Sequence, residues 1–173
     1  MKELIDDITY KMLKNKYDEL LLDYVILEAD EEYRGALSHK QAVIEALAVL
    51  NSRIRVGNSL NHPRFFVDED KMICTKCSIE DFFYENDKLS EYMSYWSVFS
   101  DPPYGCPYNK YDFRKINYSL FPIAFRNDLE IYTWNDDFSN YFDDGKEWWG
   151  TALWSIYDKY MNRFVIIGAS LTD

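Results

Sequence analysis

The hydrophobic residues of the first third of the chain recur every three or four positions, which is the spacing of a helix with one buried face. Residues 3–30 contain neither glycine nor proline. Their apolar positions are Ile5, Ile8, Met12, Leu13, Tyr17, Leu20, Leu21, Tyr24 and Val25. The pattern predicts helical structure through this stretch, with room for one break inside so long a run, until Gly35 interrupts it.

A second helix is predicted over residues 39–53, behind a sequence that can cap its first turn. Gln41 lies three residues after Ser38. The serine hydroxyl can therefore accept a hydrogen bond from a backbone N–H of the first turn, while the glutamine side chain reaches back to the backbone N–H of Ser38. The apolar face that follows consists of Val43, Ala46, Leu47 and Leu50, with Gly57 beyond the end. This placement puts His39 in the first turn, where we expect an exposed surface residue.

The middle of the chain combines turn-forming and aromatic sequences. Composition predicts loops at residues 57–64 and 100–109, the second with three prolines in six residues. Between these loops we expect a short strand from Arg64 to Val67 and a helix from Ile79 to Tyr95. Residues 82–121 hold 13 aromatic side chains in 40 positions, more than one helix and a proline-rich loop readily bury. Whether these rings form core or surface stays open at this point.

The last third has the two-residue alternation and the β-branched content of strands. We predict strands over residues 129–134, 151–157 and 163–168. Helices early and strands late predict the α+β class, with N-terminal helices packed on a C-terminal antiparallel β-sheet. No repeat or linker divides the chain, so we expect residues 1–173 to form a single domain: 1–57 mainly helical, 58–122 mixed helix and aromatic-rich loops, and 123–173 mainly β.

The composition indicates a folded and acidic protein. Of the 173 residues 47% are hydrophobic, and 30 acidic against 19 basic side chains give a formal net charge of −11. The hydrophobic fraction argues against disorder, and the acidity argues against direct binding to a nucleic-acid backbone. No apolar run approaches the roughly 20 residues of a membrane span, and acids occupy the place of a signal peptide's apolar region. We therefore expect a cytoplasmic protein without a nucleic-acid or membrane partner.

The three cysteines, Cys74, Cys77 and Cys106, are odd in number and do not form the disulfide framework of a secreted protein. The spacing of Cys74 and Cys77 suits either a zinc site or a redox pair. A structural zinc needs two further ligands, for which Cys106, His39 and His62 are the candidates. A second CxxC sequence is missing, so ordinary reduced cysteines are the simplest interpretation. A zinc-stabilised scaffold through Cys74 and Cys77 stays an alternative.

Sequence motifs of enzymes are missing from the chain. It has no GxSxG, HExxH, Walker A or GxGxxG sequence, and its six glycines are scattered. Only two histidines, His39 and His62, are available as general bases, and nothing in the sequence brings a cysteine to His62. Asp136, Asp137, Asp143 and Asp144 do not follow the alternating ligand positions of a calcium-binding EF-hand. We therefore expect no cofactor, and an enzyme is not favoured.

The clearest functional signal is a group of acids among aromatic residues between the first two strands predicted in the last third. Residues 127–147 carry seven acids and one base, Lys146. The candidate partner-binding residues are Trp134, Asp136, Asp137, Asp143, Asp144, Glu147, Trp148 and Trp149. Tryptophans often dominate the binding energy of protein interfaces, and surrounding acids steer a basic partner.

Two hypotheses use this acidic and aromatic segment. The first is a small acidic protein-binding domain, an inhibitor or immunity-type protein that covers a basic site on its partner. The alternative is a small hydrolase or carbohydrate-binding module that uses residues 134–149, since carboxylates between aromatic rings can form a sugar cleft. Glycosidase domains are usually larger, and no carboxylate pair stands out. A basic protein partner is therefore the preferred hypothesis.

Overall fold

Residues 1–56, 64–85, 93–102 and 105–170 are described by a computed structural model, except for the side chains of residues 54–56 and 148. In this part of the chain six strands form one antiparallel sheet, ordered β1-β2-β6-β5-β4-β3. The strands are β1 (Lys2–Glu3), β2 (Asp23–Glu28), β3 (Cys74–Cys77), β4 (Leu129–Trp134), β5 (Thr151–Asp158) and β6 (Arg163–Ser170). With helices packed on this sheet, the expected α+β class is confirmed.

Helices lie on both faces of the sheet. They are α1 (Ile8–Lys16), α2 (Ala36–Val56), α3 (Ile79–Phe82), α4 (Tyr95–Ser100), α5 (Lys110–Leu120) and α6 (Asp143–Trp148). Short 3₁₀ segments lie at Glu69–Lys71, Ile123–Asp128 and Asn140–Phe142. The apolar side of α2 packs on one face together with aromatic residues of the β4–β5 connection. Residues of α1, α3, α4 and α5 form the core on the other face.

The three strands predicted in the last third are confirmed, with β5 one residue and β6 two residues longer than expected. Both faces of the sheet are covered, and all residues from Phe164 to Ala169 are buried. The pairing of Tyr132 with Ser155 and of Val25 with Ile166 fixes which side chains share a face. A strand buried on both sides needs apolar residues at successive positions, which explains the composition of β6.

The predicted helix over residues 3–30 is largely wrong, because this stretch also contains β1 and β2. Only α1 is helical; Asp7 caps it by accepting from the backbone N–H groups of Thr9 and Tyr10. Tyr24 and Val25, placed on one helical face by the spacing, belong to β2 and pack on opposite faces of the sheet. A continuous apolar run does not distinguish a buried strand from a buried helix by periodicity alone.

The second predicted helix is confirmed and longer than expected, since α2 begins at Ala36. The predicted cap at Ser38 is wrong: its hydroxyl lies within the helix and accepts from the backbone N–H of Arg34 at 2.9 Å. Gly35 precedes the helix with a φ of 60°, a conformation that favours glycine. The expected exposure of His39 is also wrong, because one turn into the helix it faces the sheet and is fully buried.

The middle of the chain departs most from the sequence predictions. The expected strand from Arg64 to Val67 is wrong: the segment forms no ladder, and the backbone N–H groups of Phe65 and Phe66 donate to Asn51 and Asn140. Instead of one helix from Ile79 to Tyr95, the described part has α3 and the start of α4. Helix α5 was not predicted at all. Residues 57–63, 86–92 and 103–104, which fall in predicted loops or the predicted helix, lie outside the described residues.

Of the 11 aromatic residues that the structure describes in the segment 82–121, six are buried in the core. Those buried are Phe82, Tyr95, Trp96, Phe99, Phe113 and Phe121. The rings of Phe82 and Tyr95 stack at 4.9 Å, and Trp154 of β5 packs against both. Three short helices can bury this many rings because each contributes only its inward side.

None of the helices that the structure describes is long and apolar enough to cross a membrane.

Candidate functional site

The acidic and aromatic segment between β4 and β5 is anchored by its rings. Phe138, Tyr141 and Phe142 are buried in the core under α2. The ring of Phe138 contacts those of Trp134 and Phe142, at centroid distances of 6.3 and 5.2 Å. The structure therefore separates residue types that are neighbours in the sequence: the rings of Phe138, Tyr141 and Phe142 point into the protein, and most of the acids lie outside.

The carboxylates of this segment fall into a paired group and an unpaired group. Asp136 and Asp137 lie 3.8 and 3.2 Å from the ammonium of Lys146, and the Thr151 hydroxyl also donates to Asp136. The other three, Asp143, Asp144 and Glu147, are exposed. None of these three forms an ion pair with a residue that the structure describes. Their negative charges are therefore available to pair with basic residues of a partner.

Helix α6, which carries the three unpaired acids, is held tightly to the end of the sheet. The backbone N–H of Gly150 donates to the Gly145 carbonyl at 2.7 Å, and the Gly145 N–H donates to the Ser170 hydroxyl at 3.2 Å. A Cβ at position 145 would lie 2.5 Å from the Gly150 carbonyl oxygen. Only glycine allows this approach, and the close packing fixes where the acids of α6 project.

Two of the three tryptophans predicted for the partner-binding surface pack against the core. Trp134 is only 9% exposed, so it offers no surface to a partner, contrary to expectation. Trp149 is half-buried and packs against the core on the other face of the sheet. The side chain of Trp148 lies outside the described residues. Because the rings of Trp134, Phe138, Tyr141 and Phe142 are buried, the segment gives less support to a sugar cleft than to a charged surface.

A buried polar network that the sequence analysis missed lies under α2. The Trp134 indole N–H donates to the Ser155 hydroxyl at 2.8 Å, and Ser155 also contacts His39 Nδ1 at 2.8 Å. His39 Nε2 pairs with the Tyr33 hydroxyl at 3.1 Å. Burial lowers the pKa of His39 to about 3, so the ring is neutral at physiological pH. Because Ser155 is fully buried, this serine and histidine serve packing and are not placed to attack a substrate.

The cysteine pair lies on an edge strand, and its thiols are on opposite sides of the sheet. Cys74 packs against the core under α2, whereas Cys77 packs against the core on the other face. Side chains three positions apart in a strand point in opposite directions, so one ion cannot bind both without rearranging β3. Within the described ranges no three metal-binding side chains come together. His62, one candidate ligand, lies outside those ranges.

Burial also makes these thiols poor nucleophiles. It raises the pKa of Cys77 to about 11 and raises the pKa values of Cys74 and Cys106. The thiolate is the reactive form, and it is scarce at neutral pH for a thiol of this kind. The geometry and the pKa shifts thus give no support to a redox pair or a zinc-stabilised scaffold.

A cavity of about 530 Å³ lies apart from the acidic segment, between α1, β2 and the last turns of α2. Its lining comes from residues 10–24 together with Ser52 and Arg53. No sequence pattern pointed to it, because the helix predicted over residues 3–30 replaced the strand that forms its floor. The hydrophobic residues that line it have the spacing of an ordinary amphipathic segment, so the sequence alone does not distinguish them from core residues.

Comparisons with protein-family models, with curated proteins and with solved structures find no match to this chain. Two features in the described part of the chain have side chains arranged for binding: the unpaired acids of α6 and the cavity beside β2.

Proposed function

We propose that the chain is a small acidic protein-binding domain that covers a basic site on a partner protein, as an inhibitor or immunity-type protein does. The observation that carries this proposal is the position of Asp143, Asp144 and Glu147, which are exposed on a short helix docked firmly to the sheet. A fixed set of carboxylates can match a fixed set of lysine or arginine side chains without first being ordered, which lowers the entropic cost of binding.

The overall charge supports the same proposal. The chain has a formal net charge of −11, and residues 121–173 contribute nine acids against four bases. A field of this sign accelerates association with a basic surface and disfavours acidic ones, while salt weakens both effects. Since the rings of Phe138, Tyr141 and Phe142 are buried, we expect the binding energy of this surface to come from charge pairs more than from these rings. We also propose that the protein is located in the cytoplasm.

The proposal is tested by affinity capture from a lysate of the native host at low and at high salt, with bound proteins identified by mass spectrometry. We expect one basic protein in stoichiometric amount, captured at low salt and lost at high salt. The variant Asp143→Lys with Asp144→Lys should lose this capture, because it reverses the charge at the docking helix.

A matched control separates local recognition from net charge. Glu19→Lys with Glu32→Lys changes the total charge equally at two exposed positions outside the segment. The proposal requires this control to keep most of the capture. If both double variants lose it equally, net charge alone is responsible. If neither loses it, the partner binds elsewhere and the assignment to α6 is wrong.

A further inference from the structure

The cavity beside β2 exists because β1 covers only the far end of that strand. β1 pairs with Leu27 and Glu28 alone, and no strand of the described residues pairs with Asp23 to Val25 on that side. Arg53 of α2 reaches across to the backbone carbonyl of Tyr24 at 3.0 Å. The space of about 530 Å³ between α1, β2 and α2 is within the range of small-molecule sites.

Asp23 is the chemically unusual residue of this cavity. Its Oδ2 accepts a hydrogen bond from the Tyr141 hydroxyl at 2.8 Å, but it forms no ion pair with any residue in the described part of the chain. Burial raises the pKa of Asp23, while the Tyr141 hydrogen bond and the charge of Arg53 act in the opposite direction. Asp23 is half-buried, and a partly desolvated carboxylate without a counter-ion costs free energy that a cationic ligand would offset.

The positive charges around the cavity are engaged elsewhere or lie in solvent. Arg53 is 2.6 Å from Glu3 and lies over the ring of Tyr10 at 5.6 Å from its centroid. Lys14 and Asp18 both line the cavity at exposed positions, where solvent screens their charges. An anionic ligand would therefore compete with Glu3 for Arg53, whereas a cationic ligand would meet Asp23, which has a hydrogen bond from Tyr141 but no ion pair with a described residue.

The remaining lining is apolar and aromatic. It includes Tyr10, Leu13, Tyr17, Leu20 and Leu22. Leucine side chains and tyrosine rings accommodate a hydrocarbon or aromatic group. The rings of Tyr10 and Tyr17 already have Arg53 and Lys16 over them, so the charge of a cationic ligand is left to the Asp23 carboxylate. The ligand that satisfies both the carboxylate and these walls has a positive charge at one end and an apolar body at the other.

We propose that this cavity binds a small organic ammonium ion with an apolar body, of the arylalkylamine type, with its ammonium group on the Asp23 carboxylate. Neither the acidic surface of α6 nor its partner is needed for this binding. The expected affinity of a fragment-sized amine is modest, with a Kd of about 1 mM or lower.

The proposal is tested by calorimetry on the full chain with three probes that share a phenyl group and differ in charge. These are 2-phenylethylamine, 2-phenylethanol and 3-phenylpropionate. We expect the amine to bind about tenfold or more tightly than the alcohol, because a hydrogen bond to a charged partner is stronger than a neutral one. Equal binding of amine and alcohol, preference for the carboxylate, or no binding of any probe would each overturn the proposal.

Variants locate the site within the cavity. Asp23→Asn should weaken amine binding about tenfold or more and leave the alcohol nearly unchanged, since it removes only the charge. The matched control is Asp18→Asn, which removes an exposed carboxylate from the same lining and should change the amine affinity by less than about threefold. An Asp23→Asn protein that folds and binds the amine as wild type does would contradict the assignment.

The wild-type protein provides a test that does not depend on the folding of a variant. An ammonium ion binds the ionised form of Asp23, so binding below the raised pKa of this residue releases a proton. Titrations in buffers of different ionisation enthalpy measure that release directly. We expect proton release together with weaker amine binding as the pH falls. Binding without either effect would show that Asp23 does not bind the ammonium group.

Discussion

The hydroxyl of Tyr141 donates to the carboxylate of Asp23 at 2.8 Å, across the backbone of Gly168. Gly168 pairs with Asp23 in the sheet, and a Cβ at this glycine would lie 2.6 Å from the Tyr141 oxygen. The missing side chain is therefore what lets a tyrosine from the β4–β5 connection lie over β6 and reach β2. This contact ties the segment that carries the acidic surface to the floor of the cavity.

Gly168→Ala should destabilise the protein by about 2 kcal/mol, the usual cost of forcing an extra methyl group into a packed core. Combining it with Tyr141→Phe, which removes the oxygen closest to the new methyl, should cost less than the sum of the two single changes. Urea unfolding of the four proteins in this cycle measures both effects. Strict additivity would mean that the methyl group is accommodated without moving Tyr141.

His39 should make the protein less stable in acid. Its pKa is about 3 in the folded protein and about 6.5 in the unfolded chain, so between these values only the unfolded chain takes up the proton. Stability is unaffected above pH 6.5 and falls by up to about 1.4 kcal/mol per pH unit below it.

The measurement compares the pH dependence of unfolding free energy for wild type and His39→Gln. The glutamine variant does not titrate at this position, and all carboxylates are shared by the two proteins. The difference between the curves should therefore decrease as the pH falls below 6.5. Parallel curves from pH 7 to pH 4 would show that His39 is not held neutral by the fold.

The buried Arg163 should depend on its partner Asp7. Arg163 is 2% exposed and lies 2.7 Å from the Asp7 carboxylate, with a second hydrogen bond to the Leu120 carbonyl. Asp7→Asn keeps an oxygen to cap α1 but leaves a buried guanidinium without its counter-ion, at a cost of about 3 kcal/mol. The neighbouring Asp6→Asn, at an exposed ion pair with Lys11, should change stability little. Equal effects in chemical denaturation would contradict this account.

Treatment with a metal chelator should leave the stability of the protein unchanged. Because Cys74 and Cys77 face opposite sides of the sheet, we expect well under one zinc ion per chain by elemental analysis and the same Tm with and without a chelator. Mild oxidation should give no intramolecular bond between these two cysteines, as judged by intact mass. One zinc per chain, together with a lower Tm after chelation, would show instead that β3 rearranges around the ion.

Elements whose side-chain pattern suits a single kind of structure could be predicted from the sequence. Strands β4, β5 and β6 and helix α2 have long, regular patterns, and each was located within a few residues. The stretch from Tyr24 to Leu27 was misassigned, since apolar residues in succession fit a buried strand and a buried helix equally. Helix α5 is not predicted, although Asn109 and Asp112 form its capping box, because the prolines that precede it indicate a loop.

The sequence by itself determined the α+β class, the acidity of the protein and the position of the acidic segment between two strands. The tertiary structure decided the direction and the partner of each side chain. His39 faces the core and the acids of α6 face solvent. Tyr141 forms a hydrogen bond with Asp23, which lies 118 positions away in the chain. Local patterns report which positions are buried, whereas the partner of a buried group depends on strand order and register. Those are set by the packing of the whole sheet, so both the charged surface and the cavity became visible only in the folded protein.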